Sequence, residues 1–296
     1  MRIAANQLQF EIIDEGLAHQ PAVLFICGMG MQLIGWPKEF INGISSRGYR
    51  AIRYDNRDIG LSSPMDHLGI PNFLLGFLKY KIGMQASPPY SLQDMAIDGL
   101  KILETLGIQK AHLIGVSMGG MIAQRMAITA PDKIFSLTSL MSSSSAEHLS
   151  GPQPDVLSAL MVKPAAPGSE QAKLNALKFM NSLRSPGFPY PPGYLEQLVE
   201  DNMNRSSRPQ GAMRHMLAVI ADTQRAQLLG QIKCPTLILH GKQDPLLPFA
   251  CAQDTASRIT HSKLVAIEGM GHNLPPALVP HLLAPLLEFL DQFPKQ

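Results

Sequence analysis

The sequence contains few cysteines, and their arrangement excludes several classes of protein. Three occur among 296 residues, at Cys27, Cys234 and Cys251. An odd, widely spaced set matches neither the disulfide framework of a small secreted protein nor the closely spaced ligands of a metal cluster. The nine histidines also lack the paired spacing of zinc ligands. We therefore predict no metal and no other cofactor.

Charge and long apolar runs are also scarce. Charged residues make up 16% of the chain, the net charge is +2, and lysine and arginine form no cluster. Nothing therefore favours a nucleic-acid partner. Residues 22–36 come nearest to a membrane span, but this stretch is short and interrupted by glycine. The first residues lack the pattern of a secretory signal. We expect a cytoplasmic protein without a membrane span.

Apolar residues are plentiful, at 45% of the chain, which indicates a globular protein with a large core. The length fits one large α/β domain that carries an insertion. Apolar runs predict strands at 22–27, 49–54, 111–114, 134–141, 236–240 and 262–267. Helical patterns lie between most of them. Repeated strand–helix units predict a parallel sheet with helices on both faces.

One long segment breaks this alternation. Residues 147–228 are rich in proline, methionine and polar residues, and short helical patterns separate the proline breaks. The alternation of strands and helices resumes after it. We therefore predict a core domain made of residues 1–146 and 229–296, with residues 147–228 inserted as a helical cap.

The most informative motif is Gly-x-Ser-x-Gly, centred on Ser117 and flanked by Gly115 and Gly119. The motif is short and also occurs by chance in glycine-rich loops. Here a predicted strand precedes it and a predicted helix, Met118 to Ala130, follows it. That setting is the one required of a nucleophile elbow, in which a serine hydroxyl stands exposed at a tight corner. We predict that Ser117 is a catalytic nucleophile.

A serine nucleophile needs a base and an acid. Catalytic groups gather at the carboxyl ends of parallel strands. Asp244 follows the predicted strand at 236–240, and His272 follows the one at 262–267. Each alone is equally well explained as an ordinary loop residue. Together they supply the chain order Ser, Asp, His, so we predict that they form a triad with Ser117.

The oxyanion of an acyl-transfer reaction needs two backbone N–H donors. We predict Met118, directly after the nucleophile, and Met29, in the glycine-rich loop after the strand at 22–27. A phosphate-binding loop is excluded because no Gly-Lys-Ser/Thr ending follows. We assign substrate contacts to Gly28 in that loop, and to Phe73 and Phe77 in the apolar stretch at 71–78. This stretch is interpreted as a flap, with a place in the core as the alternative.

Beyond these residues, the chain resembles the α/β-hydrolases over nearly its whole length. The resemblance is carried by the elbow and by three further stretches, at 54–62, 235–241 and 269–272. Within that superfamily it is most similar to the serine esterase branch that includes the aclacinomycin methylesterase-like proteins. The resemblance implies an α/β-hydrolase fold with a mostly parallel eight-stranded sheet, a helical cap and a Ser-His-Asp mechanism. Two departures are Cys27, where relatives often carry histidine, and Asp58, where many carry glycine. We expect a structural role for Asp58.

We predict a carboxylic ester hydrolase that cleaves small to medium apolar esters. Serine at the elbow argues against dehalogenases and many epoxide hydrolases, which carry aspartate there. Three alternatives remain open: a cofactor-free perhydrolase or haloperoxidase, a carbon–carbon bond hydrolase, and a non-catalytic ligand receptor. The predicted partner is a small-molecule ester, and the protein is expected to be a monomer or a homodimer.

Overall fold

The computed structural model describes residues 1–69 and 87–293. Its strands are β1 Arg2–Ala5, β2 Leu8–Glu15, β3 Ala22–Ile26, β4 Arg50–Tyr54, β5 Ala111–Val116, β6 Ile134–Leu140, β7 Thr236–Gly241 and β8 Ser262–Ile267. The α-helices of the described ranges are α1 Lys38–Ser45, α2 Leu92–Thr105, α3 Met118–Thr129, α4 Pro154–Leu160, α5 Glu170–Ser182, α6 Tyr194–Arg205, α7 Pro209–Ala221, α8 Arg225–Leu228, α9 Ala250–Arg258 and α10 Val279–Leu290.

The strands form one eight-stranded sheet in the order β1-β2-β4-β3-β5-β6-β7-β8. The β1–β2 and β2–β4 pairs are antiparallel, and every later pair is parallel. The strands β3, β4, β5 and β7 are buried along their whole length, as expected of strands covered on both faces. The predicted fold, a mostly parallel eight-stranded sheet between helices, is confirmed.

Two apolar clusters cover the two faces of the sheet. On one face, α2 and α3 pack against side chains such as Leu24 and Leu113. On the other, α1 and α10 pack against side chains such as Phe25 and Ile114. Successive residues of one strand point to opposite faces, so each strand supplies both clusters. The sheet is therefore a central layer covered on both faces, and the loops after β3, β5, β7 and β8 emerge together at its carboxyl edge.

Between β6 and β7 the chain forms helices α4 to α8. This segment is anchored to the loop after β4 by Arg214 of α7, a guanidinium with no exposed surface. Its Nη2 lies 2.8 Å from Asp58 Oδ1, and it also pairs with Asp66. Asp58 has a φ of +74°, in the left-handed region that favours glycine. Its pairing with Arg214 agrees with the structural role expected for it.

No helix within residues 1–69 and 87–293 has both the length and the apolar character to cross a membrane.

The Arg214–Asp58 pair gives a stability prediction. Arg214→Met should lower the free energy of unfolding by about 3–5 kcal/mol, because the Asp58 carboxylate then stays buried without its cation. Lys263→Gln is the matched control, since Lys263 pairs with Glu288 at the surface and such pairs contribute about 0–1 kcal/mol. Urea unfolding measures both. Equal effects of the two substitutions would contradict this assignment.

Candidate active site

Ser117 is the single residue between β5, which ends at Val116, and α3, which begins at Met118. Its backbone has a φ of +54° and a ψ of −121°, a conformation that costs a non-glycine residue about 1–3 kcal/mol. Two hydrogen bonds hold the corner. The Ser117 N–H donates to Leu140 O at 2.9 Å, and the Ser142 hydroxyl donates to Ser117 O at 2.7 Å. The predicted strand, corner and helix are all present.

The two motif glycines are required by close approach. A Cβ on Gly115 would overlap the carbonyl of Gly119. A Cβ on Gly119 would overlap the carbonyl oxygen of Ile26, at the end of β3. The start of α3 is thus pressed against both neighbouring strand ends, which is possible only without side chains at these positions.

The three residues predicted as a triad lie in one chain of contacts. His272 Nε2 is 3.0 Å from Ser117 Oγ, and His272 Nδ1 is 2.7 Å from Asp244 Oδ2. Both His272 and Asp244 are buried. With the proton on Nδ1, the imidazole donates to the carboxylate and its Nε2 accepts from the serine hydroxyl. This arrangement can accept a proton from Ser117.

The Asp244 carboxylate accepts three hydrogen bonds and lies close to a second histidine. Oδ1 accepts from the N–H groups of Leu246 at 2.9 Å and Leu247 at 2.8 Å. Oδ2 contacts His272 and also lies 3.3 Å from Nε2 of His240, the residue four positions earlier. Burial alone would raise the pKa of Asp244, but the charges and hydrogen bonds of His272 and His240 hold it well below its usual range. Asp244 is therefore ionised at neutral pH.

The loop after β3 lies directly against the nucleophile. A Cβ on Gly28 would be 3.4 Å from Ser117 Cβ and 3.3 Å from Val116 O. Among the residues that the structure describes, the N–H groups of Met29 and Met118 donate no hydrogen bond. Both of the predicted oxyanion donors are thus unengaged.

Polar contacts from other elements support this loop. Asn56 Nδ2 donates to Cys27 O at 2.9 Å, and Gly30 N donates to His215 Nδ1 at 3.4 Å. The other ring nitrogen of His215 donates to Arg57 O at 2.9 Å. Burial lowers the pKa of His215 to about 4, so the ring is neutral at pH 7 and one nitrogen can accept.

The sequence did not predict several of the residues that support this site. Asn56 offered a weak signal, since it follows a buried strand within the stretch at 54–62 that resembles the α/β-hydrolases. His240 and His215 offered none, because both read as ordinary residues of a strand and a helix. The predicted substrate contacts Phe73 and Phe77 lie outside the described residues. Within the described ranges, no group of three or more His, Cys, Asp or Glu residues could hold a metal ion.

Comparison with known proteins assigns the chain to a family. The sequence pattern of the α/β hydrolase fold matches residues 21–275, and the chain belongs to this family. A rhodomycin D methylesterase of Streptomyces peucetius is 27% identical over 292 residues, covering 90% of each chain. Another, from Streptomyces sp. strain C5, is 26% identical over 283 residues and covers 86% of each. A meta-cleavage product hydrolase structure from Pseudomonas fluorescens IP01 superposes with a TM-score of 0.73. That structure is 17% identical, with 99% of this chain and 97% of that chain covered, and it supports the fold alone.

These relatives confirm the predicted resemblance to the methylesterase branch. They also confirm the predicted class of enzyme, an esterase-type α/β hydrolase that acts on carboxylic esters.

The buried imidazole of His215 predicts a pH dependence of stability. In the unfolded chain a histidine takes up a proton near pH 6.5, whereas in the folded protein this one does so only near pH 4. Stability should therefore fall as the pH drops from about 6.5 to about 4, by roughly 3 kcal/mol from this residue. His215→Gln should reduce the slope in that window by up to about 1.4 kcal/mol per pH unit and leave the slope above pH 7.5 unchanged. Urea unfolding across this range measures it, and an unaltered slope would contradict it.

Proposed function

We propose that this chain hydrolyses carboxylic esters of small to medium apolar substrates through an acyl-enzyme on Ser117. The observation that carries the proposal is the run of contacts from Ser117 Oγ to His272 Nε2 at 3.0 Å and from His272 Nδ1 to Asp244 at 2.7 Å. A hydroxyl, an imidazole and an ionised carboxylate in this order are the components of a Ser-His-Asp triad.

In the first half of the proposed reaction, Ser117 Oγ attacks the ester carbonyl and His272 Nε2 takes the hydroxyl proton. Asp244 stabilises the imidazolium, because its carboxylate already accepts from Nδ1. The carbonyl oxygen becomes an oxyanion that accepts from the N–H groups of Met29 and Met118, which donate no hydrogen bond within the described ranges. Collapse breaks the bond to the alkoxy oxygen, and the imidazolium protonates the departing alcohol.

In the second half, water attacks the acyl carbon while His272 Nε2 accepts its proton. A second oxyanion forms on the same donors. Its collapse breaks the bond to Ser117 Oγ, which recovers the proton from His272, and the carboxylic acid is released. The same base serves both halves, so its position controls acylation and deacylation alike.

We also propose that residues 147–228 form the cap of this site. The support is the contact of this segment with the loop after β3. Gln32 Nε2 donates to the carbonyls of Asn202 at 2.8 Å and Ser206 at 3.0 Å, at the end of α6. His215 of α7 meets Gly30 in the same loop. Through these contacts the segment lies beside the proposed oxyanion loop, where it can shape the acyl pocket.

The substrate class is narrowed by the names of the relatives. Two are methylesterases, and a third, from Aliivibrio salmonicida, is a pimeloyl-acyl-carrier-protein methyl ester esterase. The shared element of these names is the cleavage of a methyl ester. We therefore propose methyl esters of apolar carboxylic acids as the preferred substrates. A monomer or homodimer located in the cytoplasm remains the prediction for assembly and location.

Ser117→Ala should lower kcat/KM for a p-nitrophenyl ester by at least about 10⁴-fold, because the nucleophile is removed. Asp244→Asn should lower kcat by about 10⁴-fold, because the amide no longer fixes the imidazole tautomer. Ser158→Ala is the matched control, since that exposed hydroxyl of α4 donates to Asp155 O at 2.8 Å, within its own helix. Circular dichroism verifies folding. Full turnover by the Ser117 variant would refute the proposal.

A series of esters tests the substrate proposal. Within one apolar acid, we expect kcat/KM to be highest for the methyl ester and to fall about tenfold or more for bulkier alcohols, which need room beside the elbow. Product acid and alcohol are quantified by chromatography. A flat series would contradict the preference for methyl esters. Faster cleavage of a diketone, or peroxide-dependent halogenation, would favour one of the alternative chemistries.

A further inference from the structure

The segment that joins α5 to α6 lies along the loop that carries His272. His272 N donates to Leu183 O at 2.8 Å, and Gly187 N donates to Gly269 O at 2.9 Å. Residues 183–187 belong to the stretch between β6 and β7, so a distant part of the chain fixes the backbone at the proposed base. No pattern in the sequence predicted that residues 183–187 would contact the loop that carries His272.

The two segments touch backbone to backbone. A Cβ on Gly187 would lie 2.8 Å from Gly269 Cα, and a Cβ on Gly271 would overlap the carbonyl of Arg184. Gly269 also has a φ of +76°, which a larger residue would adopt only with strain. Glycines at these positions therefore permit a contact close enough for direct hydrogen bonding between the two loops.

Ser185 makes the side-chain contacts within this pairing. It is 2% exposed. Its hydroxyl accepts from Gly271 N at 2.8 Å and donates to Asn273 Oδ1 at 2.5 Å. One hydroxyl thus holds the residues on both sides of His272, while the N–H of His272 itself is held by Leu183. Three consecutive residues of the base loop are fixed from the same side.

We propose that Ser185 is a positioning residue, which sets the imidazole of His272 at reacting distance from Ser117. This inference rests on the proposed function, in which His272 is the base. The imidazole must stay within hydrogen-bond reach of Ser117 on one side and of Asp244 on the other. Catalytic groups need placement within about 0.5 Å, and a displacement of 1 Å costs about 10²-fold in rate. Ser185 acts through the backbone and does not touch the reacting atoms.

Ser185→Ala should lower kcat for a p-nitrophenyl ester by about 10- to 100-fold with KM changed less than about twofold, because only the base is displaced. The reaction rate of Ser117 with an alkyl p-nitrophenyl phosphonate should fall in parallel, since it needs the same base. This inhibitor also counts active sites, so kcat refers to folded enzyme. Ser182→Ala is the matched control, because that hydroxyl bonds to Phe179 O within its own helix and should leave both rates unchanged.

Asn273→Ala removes the other partner and provides a second route to the same conclusion should Ser185→Ala fail to fold. We expect the double variant to lose no more than the worse single variant, as for two halves of one contact. A folded Ser185→Ala or Asn273→Ala enzyme with parental kcat and phosphonate reactivity would overturn the positioning role. A loss of thermal stability alone, with kcat per active site unchanged, would also overturn it. Failure of the proposed function differs, since Ser117→Ala would then keep its ester turnover.

Discussion

The tight approach of α3 to the end of β3 is the constraint on which the rest of the site depends. Gly119 leaves no room for a Cβ beside the carbonyl of Ile26, and Ser117, at the corner two residues earlier, has a positive φ. The corner places the Ser117 hydroxyl 3.0 Å from His272 Nε2 and the Ser117 Cβ against Gly28. The strain of about 1–3 kcal/mol persists because the surrounding sheet and two hydrogen bonds determine the conformation.

The other two members of the contact chain are supported from different directions. The Asp244 carboxylate is contacted by residues close to it in sequence, since Leu246, Leu247 and His240 belong to the same strand and loop. His272 depends on the segment at 183–187, which the chain reaches only after leaving the sheet. The buried pair of Arg214 and Asp58 ties α7, which lies further along between β6 and β7, to the loop after β4. The stretch between β6 and β7 therefore contacts both the loop after β4 and the loop that carries His272.

Much of the fold and the centre of the site could be predicted from the sequence because their signals are local. Continuous apolar runs marked the buried strands, and glycines two residues either side of Ser117 marked a corner that only glycine permits. The supporting residues could not be predicted. His215 meets Gly30 across 185 positions, and Ser185 meets Gly271 across 86. No periodicity or motif connects such pairs, since their proximity arises only when helices dock on the sheet.

The sequence by itself determined the class of fold, the family and the identity of the three residues that meet at the sheet edge. Strand periodicity, turn sterics and chain order are properties of neighbouring residues, so they are visible without coordinates. Tertiary structure decided how those residues are held. The neutral imidazole of His215 behind the loop after β3, the pairing of His272 with Asp244 and the Ser185 hydroxyl that contacts Gly271 and Asn273 are contacts between separate segments. They form only when those segments pack together, and burial keeps His215 neutral at pH 7.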